Sequence, residues 1–288
     1  MPRGIANSHM RATKNLRLPL PQLAEIPFCA ADAELCVLSD EALFATCGAR
    51  IAFTTRAGGV SEGSYAGLNL SYSVGDDAGC VDTNRRLLCA ALDADNCIES
   101  LISPLQVHGS DFIEIRQIVE SQQKSAGEAD GVVCMQPEVP VLLCFADCVP
   151  VILVAPDGSF AVIHSGWRGS IAGIAGKGLR KLQLAAQCVA SDINCYIGPH
   201  IGSCCYEVSA ELVGQFVAEF GESCDAGNNH LDLSAAVIAS LARAGAAEDR
   251  IVDAGVCTSC CHDAYYSYRA DAGVTGRHGA FAIRKEES

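Results

Sequence analysis

Three short islands in the middle of the chain carry the residue types best suited to chemistry. They read Gln106-Val107-His108-Gly109, Ala146-Asp147-Cys148 and His164-Ser165-Gly166-Trp167-Arg168-Gly169. Together they offer two imidazoles and one thiol, each beside glycine or at the edge of an apolar run. Two histidines and a cysteine form a three-ligand set that suits zinc and leaves a fourth position for water or substrate. The gaps between them are far longer than zinc-finger spacings, so the fold must bring the three together. Any one of them alone reads equally well as a packed or hydrogen-bonded core residue. Their placement at strand ends favours a site, because ligands gather at such edges.

Asp147 lies between two apolar stretches, where an unpaired acid is costly to bury. It either orients a metal-bound histidine, holds a base or water, or caps its own turn. Arg56, in the glycine loop Arg56-Ala57-Gly58-Gly59-Val60-Ser61-Glu62-Gly63, has a planar fork suited to phosphate or carboxylate; the alternative is a solvated loop arginine. Loops of this kind let backbone approach a ligand. Trp167, the single tryptophan, either stacks on a base or wedges its turn. Cys257-Thr258-Ser259-Cys260-Cys261-His262 lacks both a partner C-x-x-C and the haem-attachment order, and reads as structural. Pairing Cys148 as a nucleophile with His108 or His164 as its base is a further reading of the same islands.

These residues need elements to hold them. Strands are expected over Ile51 to Thr55, Asp111 to Ile118, Val132 to Cys134, Val139 to Phe145, Val149 to Ala155, Phe160 to Ile163, Cys195 to Gly198, Ile251 to Val256 and Gly279 to Ile283. The turn Pro156-Asp157-Gly158-Ser159 makes Val149 to Ile163 a hairpin, which leaves His164 at a strand end. Helices are expected over Val81 to Leu92, Ile171 to Leu184, Ser209 to Phe220 and Leu233 to Ala244, the last capped by Asp232 or Ser234. Gly166 to Gly169 make the turn before the second helix, whose start is a ready anion site. Strands and helices alternate irregularly, which favours a mixed α/β (α+β) layered sandwich with mixed β-sheets in a single domain. Residues 1–20 read as an N-terminal tail, with Ser8-His9-Met10 resembling a cloning scar, and residues 21–288 as the domain.

Composition narrows the function. The 288 residues are 50% hydrophobic with a net charge of −14, and no Lys/Arg cluster marks a nucleic-acid footprint. Val139 to Ala155 is interrupted by Pro140, Asp147 and Pro150, which argues against a membrane span. Seventeen cysteines scattered through apolar segments, with no secretory signal, point to free thiols in a reducing cytoplasm. The Cys204-Cys205 and Cys260-Cys261 pairs motivate a rival reading, a non-enzymatic thiol-rich redox or metal-binding protein.

From Ile51 to Ile283 the chain resembles the YfiH family, known as purine nucleoside phosphorylases and formerly labelled polyphenol oxidases or multicopper laccases. Besides the three islands, the resemblance rests on Thr54-Thr55-Arg56-Ala57-Gly58-Gly59-Val60-Ser61, Leu68-Asn69-Leu70, Val74-Gly75-Asp76-Asp77, Asn84-Arg85, Ala129-Asp130-Gly131 and Ile197-Gly198-Pro199. It continues through Cys205-Tyr206-Glu207-Val208, Leu231-Asp232-Leu233, Cys257-Thr258, Ser267-Tyr268-Arg269 and Thr275-Gly276-Arg277. It implies a layered α/β sandwich with His108, Cys148 and His164 as metal ligands, zinc as the metal and copper as the alternative. It implies phosphorolysis of adenosine, inosine or methylthioadenosine to base and ribose 1-phosphate, with adenosine deamination alongside. Cys148, His108, Asp147 and Arg56 are the catalytic residues expected, and Arg56, Asn69, Trp167 and Arg277 the substrate-binding ones. The partners expected are purine nucleosides and phosphate, with neither nucleic acid nor membrane. Copper-dependent phenol oxidation is the alternative activity, set against only seven histidines. Two positions depart from the family pattern: Ser165 stands where alanine is usual, and Ala270 follows Arg269 where a second arginine is common.

Overall fold

Alternating apolar side chains in the strands must be covered on both faces, and the chain meets this with two stacked sheets enclosed by helices. The computed structural model describes residues 16–30, 33–116 and 127–286. The Ser8-His9-Met10 segment and the expected end of a strand at Ile118 lie outside the described residues. The first sheet holds β1 (Ala24–Ala30), β2 (Ala33–Ser39), β3 (Ala49–Thr54), β6 (Val141–Phe145) and β11 (His278–Arg284). Its order is β1-β2-β3-β11-β6, antiparallel throughout. The second holds β4 (Phe112–Ile115), β5 (Gly131–Cys134), β7 (Val149–Val154), β8 (Phe160–Ser165), β9 (Asn194–Ile197) and β10 (Ile251–Asp253). Its order is β10-β9-β7-β8-β5-β4, with parallel pairs only at its two ends.

The period of two in a strand sorts the core into layers. Val141 and Leu143 of β6 face the second sheet and pack with Ile152, Val154, Val162 and Tyr196. Leu142, between them, points the other way, onto Leu88, Leu92 and the Leu68–Leu70 segment. The outer face of the second sheet packs under Leu179, Leu182, Phe216 and Leu241. Each such fully buried side chain contributes about 1.5–3 kcal/mol relative to exposure.

The helices are α1 (Glu41–Cys47), α2 (Ala78–Ala91), α3 (Trp167–Ile171), α4 (Ile174–Ala186), α5 (Ala210–Phe220) and α6 (Leu233–Arg243). Asp77, Ser209 and Asp232 cap α2, α5 and α6 by accepting from the amides of Cys80, Leu212 and Ala235. The helix expected over Ile171 to Leu184 is α4, which starts at Ile174 because Gly173, at φ 69°, separates it from α3. The turn expected at Gly166 to Gly169 is instead the first turn of α3. Residues 16–20 pack on the domain: Leu18 is buried, and the Arg250 guanidinium donates to the carbonyls of Leu18 and Pro19.

One crossing matters for the site. Phe145 ends β6 in the first sheet and Val149 begins β7 in the second, so Ala146–Cys148 is the corner between sheets. No helix among the described residues is long and apolar enough to cross a membrane.

Candidate functional site

The corner at Asp147 (φ 83°) brings Cys148 to the end of β8, where His164 sits in register opposite Pro150 of β7. His108 arrives on the segment before β4, also in the left-handed region at φ 59°. Non-glycine residues rarely adopt this conformation, although Asp and His are among those that do. At both positions the surrounding bonds enforce it.

For His108 the enforcing group is Asp130, at the start of β5 and fully buried. Its Oδ1 accepts from the His108 amide at 2.9 Å, and its Oδ2 from the amides of Val107 at 3.2 Å and Gly109 at 2.6 Å. Its Oδ1 also meets His164 Nδ1 at 2.8 Å. One carboxylate therefore shapes the first island and orients the imidazole of the third, turning the His164 Nε2 edge towards Cys148. Burial alone would raise its pKa; the bonds from His164 and the Gly109 amide hold it below the usual carboxylate range.

The three expected donors converge. Ligand atoms of His108, Cys148 and His164 all lie within 4.8 Å of one another, and the two imidazole rings stand edge to face with centroids 4.9 Å apart. Gly166 borders all three: a Cβ there would lie 3.0 Å from His108 Cδ2, 3.2 Å from Cys148 Sγ and 3.6 Å from His164 Cε1. Burial opposes the Cys148 thiolate, but the charged His164 and hydrogen bonds from His108 and His164 outweigh it and bring the thiol down to about 6. Burial likewise opposes the His164 imidazolium, which the thiolate and Asp130 push up to about 9. A thiolate between two imidazoles is a donor set for zinc or another soft divalent ion. In the metal-free chain, alkylation of Cys148 by iodoacetamide is expected to rise with pH through a midpoint near 6. Asp130→Asn moves that midpoint upward, because it weakens the His164 charge. A midpoint unchanged in the variant, read by peptide mass, would contradict the coupling.

The cluster lies in a cleft of about 980 Å³ that Asp147, Trp167 and Arg277 also line. Asp147 is tied down by the Thr258 hydroxyl at 2.6 Å and the Arg269 amide at 2.7 Å. It holds a loop, and the histidine-orienting role considered for it belongs to Asp130. Trp167 is half-buried with the Arg168 guanidinium 4.4 Å over its ring. Ser165 is buried and satisfied by the Ser170 hydroxyl at 2.8 Å.

Two expected residues lie elsewhere. Arg56 does not line the cleft: its fork donates to the carbonyls of Ala66 and His262 and lies over the Tyr266 ring. The glycine loop folds on itself, since a Cβ at Gly67 would lie 1.9 Å from the Arg56 carbonyl oxygen. Asn69 is fully buried and acts through the backbone, its Oδ1 accepting from the Arg277 amide at 2.9 Å. The positive charge in the cleft comes instead from Arg277 with Arg85 and Arg269. Arg85 reaches the Leu70 carbonyl from α2 and lies 4.4 Å from the Tyr72 ring. The helix start expected near Ile171 as an anion site lies instead at Ile174, where α4 begins after Gly173, and it does not line the cleft.

Comparison with known proteins agrees with this architecture. Residues 50–285 match the family described as multi-copper polyphenol oxidoreductase laccase. The chain is 36% identical over 256 residues to the purine nucleoside phosphorylase YlmD of Geobacillus stearothermophilus, covering 83% of this chain and 92% of that protein. It is 32% identical to adenosine deaminase RL5 from an unknown prokaryotic organism, covering 81% of this chain and 94% of that one. The crystal structure of YlmD from Geobacillus stearothermophilus superposes with a TM-score of 0.79 at 33% identity, over 91% of this chain and 100% of that one. The chain belongs to this family of enzymes, the YfiH family that its motifs resemble.

Proposed function

We propose that the chain is a metal-dependent purine nucleoside phosphorylase, with zinc held by His108, Cys148 and His164. Its substrates are adenosine, inosine and methylthioadenosine, and adenosine deamination is its second activity. The observation that carries this reading is that one cleft holds both the three-donor cluster and three guanidiniums, from Arg85, Arg269 and Arg277. The names of the relatives support the same substrate class.

Phosphorolysis exchanges a bond at the ribose carbon. The C1′–N bond breaks with its electron pair going to the purine, phosphate oxygen bonds C1′, and the phosphate proton passes to the base. Arg277 and Arg269 hold the phosphate by charge and by planar donors. Tyr206, Tyr268 and Trp167 line the cleft, and their rings supply apolar surface for the purine. Asp147 keeps the Arg269 backbone in place. When bound, a divalent ion supplies Lewis-acid polarisation of an oxygen ligand. In deamination, the same cleft admits water to the purine carbon that bears the amine, releasing ammonia.

Arg277→Ala is expected to raise the phosphate KM about 10- to 100-fold, the equivalent of a charged hydrogen bond of about 1.5–3 kcal/mol. The inosine KM changes little, and initial rates at varied phosphate read the split. The assignment itself is tested by ribose 1-phosphate release from inosine with added phosphate, using zinc-loaded and copper-loaded protein. Phosphate-dependent release by the zinc form, lost in a folded Cys148→Ala variant, supports it. Turnover of phenols by the copper form with no ribose 1-phosphate from either would replace it with the oxidase reading. Against that reading, the other described histidines join no group of three or more donors, whereas oxidases with several coppers need many.

A further inference from the structure

Four cysteines that the cleft chemistry does not use come together outside it, with Cys205 next in the chain to the cleft residue Tyr206. Cys204 and Cys205 lie in the tight turn after His200, where the amides of Cys205 and Tyr206 both donate to the Gly202 carbonyl. Cys257 and Cys260 lie in the C-x-x-C turn that begins at the isolated bridge between His200 and Cys257. The sulfurs of all four lie within 4.8 Å of one another. Cys260 Sγ is 3.4 Å from Cys205 Sγ and 3.6 Å from Cys204 Sγ. Four sulfurs bonded tetrahedrally to zinc at about 2.3 Å stand roughly 3.8 Å apart, so the cluster needs only small adjustments to close on an ion. Two further observations point to a ligand. The Gly202 amide donates to Cys257 Sγ at 3.2 Å, the kind of outer hydrogen bond that orients a thiolate ligand. Gly202 also has no side chain where a Cβ would lie 3.3 Å from Cys204 Sγ.

We propose that Cys204, Cys205, Cys257 and Cys260 form a second, structural metal centre that binds zinc as a tetrathiolate, each thiol losing its proton on binding. A closed four-sulfur site has no open position, so its role is to clasp. It joins the turn carrying Tyr206 to the turn carrying Thr258, the partner of Asp147. The Arg269 guanidinium, bonded to the Cys205 carbonyl at 3.2 Å, is fastened to the same clasp. The spacing alone conceals the site, because its halves lie far apart in the chain and one half is a pair of adjacent cysteines.

The test empties the first site with His108→Ala and Cys148→Ala and measures zinc per chain after purification under reducing conditions. One zinc is expected to remain. Adding Cys204→Ser and Cys260→Ser removes it. With cobalt in place of zinc, the double variant is expected to show intense sulfur-to-cobalt charge-transfer absorption, which the quadruple variant lacks. A folded double variant without zinc overturns the proposal, as does a non-reduced peptide map showing Cys260 joined to Cys204 or Cys205 in a disulfide. Should the quadruple variant not fold, Cys260→Ser alone must weaken zinc retention against a chelator at least tenfold; unchanged retention overturns the proposal too. Nucleoside turnover enters none of these readings, so the clasp stands or falls apart from the proposed reaction.

Discussion

Gly166→Ala is expected to leave the fold intact and weaken metal binding at the cleft. Gly166 has φ −71° and ψ 169°, extended backbone that alanine adopts without strain. It precedes α3 and supplies no side-chain cap, so no capping bond is lost. The added methyl, however, would press on His108 Cδ2 at 3.0 Å and Cys148 Sγ at 3.2 Å, so the His108 ring and the thiolate must shift by a few tenths of an ångström. Misplacing ligands is expected to cost at least the roughly 10–100-fold in affinity that loss of an outer partner costs. Chelator competition reads the affinity and circular dichroism the fold. Unchanged affinity would mean that the donors do not close around a point beside Gly166.

The second large effect is expected from Asp130→Asn. Four donors share the Asp130 carboxylate, two on each oxygen. An asparagine offers one oxygen and one NH₂, so two donors lose their acceptor and face another donor. The substitution also strips a buried pair of one charge, a change that typically costs about 3–5 kcal/mol. Metal affinity is expected to fall roughly 10–100-fold, because His164 loses the group that orients it. Denaturant unfolding and zinc titration measure the two effects. Asp147→Asn, at a carboxylate bonded to only a hydroxyl and one amide, is expected to cost less in both.

Much of the scaffold was legible from local pattern. The β7–β8 hairpin announces itself through two apolar runs around Pro156-Asp157-Gly158-Ser159, and α5 and α6 through their spacing and caps. The hairpin β1–β2 falls where the sequence pattern predicts no strand. Pro27 argues against a strand, but β1 is the edge of its sheet, where a missing amide donor is tolerated. Gly173, at φ 69°, ends α3 and delays the start of α4, a conformation that helical periodicity does not reveal. At the site, the three donor islands were legible because residue type and strand-end placement coincide. Asp130 was visible only as part of a motif, since its partners come from two other segments and no spacing connects them. Arg56 misled for the converse reason. Its fork is filled by carbonyls of Ala66 and His262, the latter from a distant part of the chain that local reading does not reach.

Two imidazoles and one thiolate, remote in sequence, are proposed to surround a single ion. The most direct measurement is the anomalous scattering of a zinc-loaded crystal on either side of the zinc edge. A peak is expected about 2.0–2.1 Å from a nitrogen of His108 and of His164 and about 2.3 Å from Cys148 Sγ. A fully loaded crystal with no peak between these three side chains would contradict that arrangement.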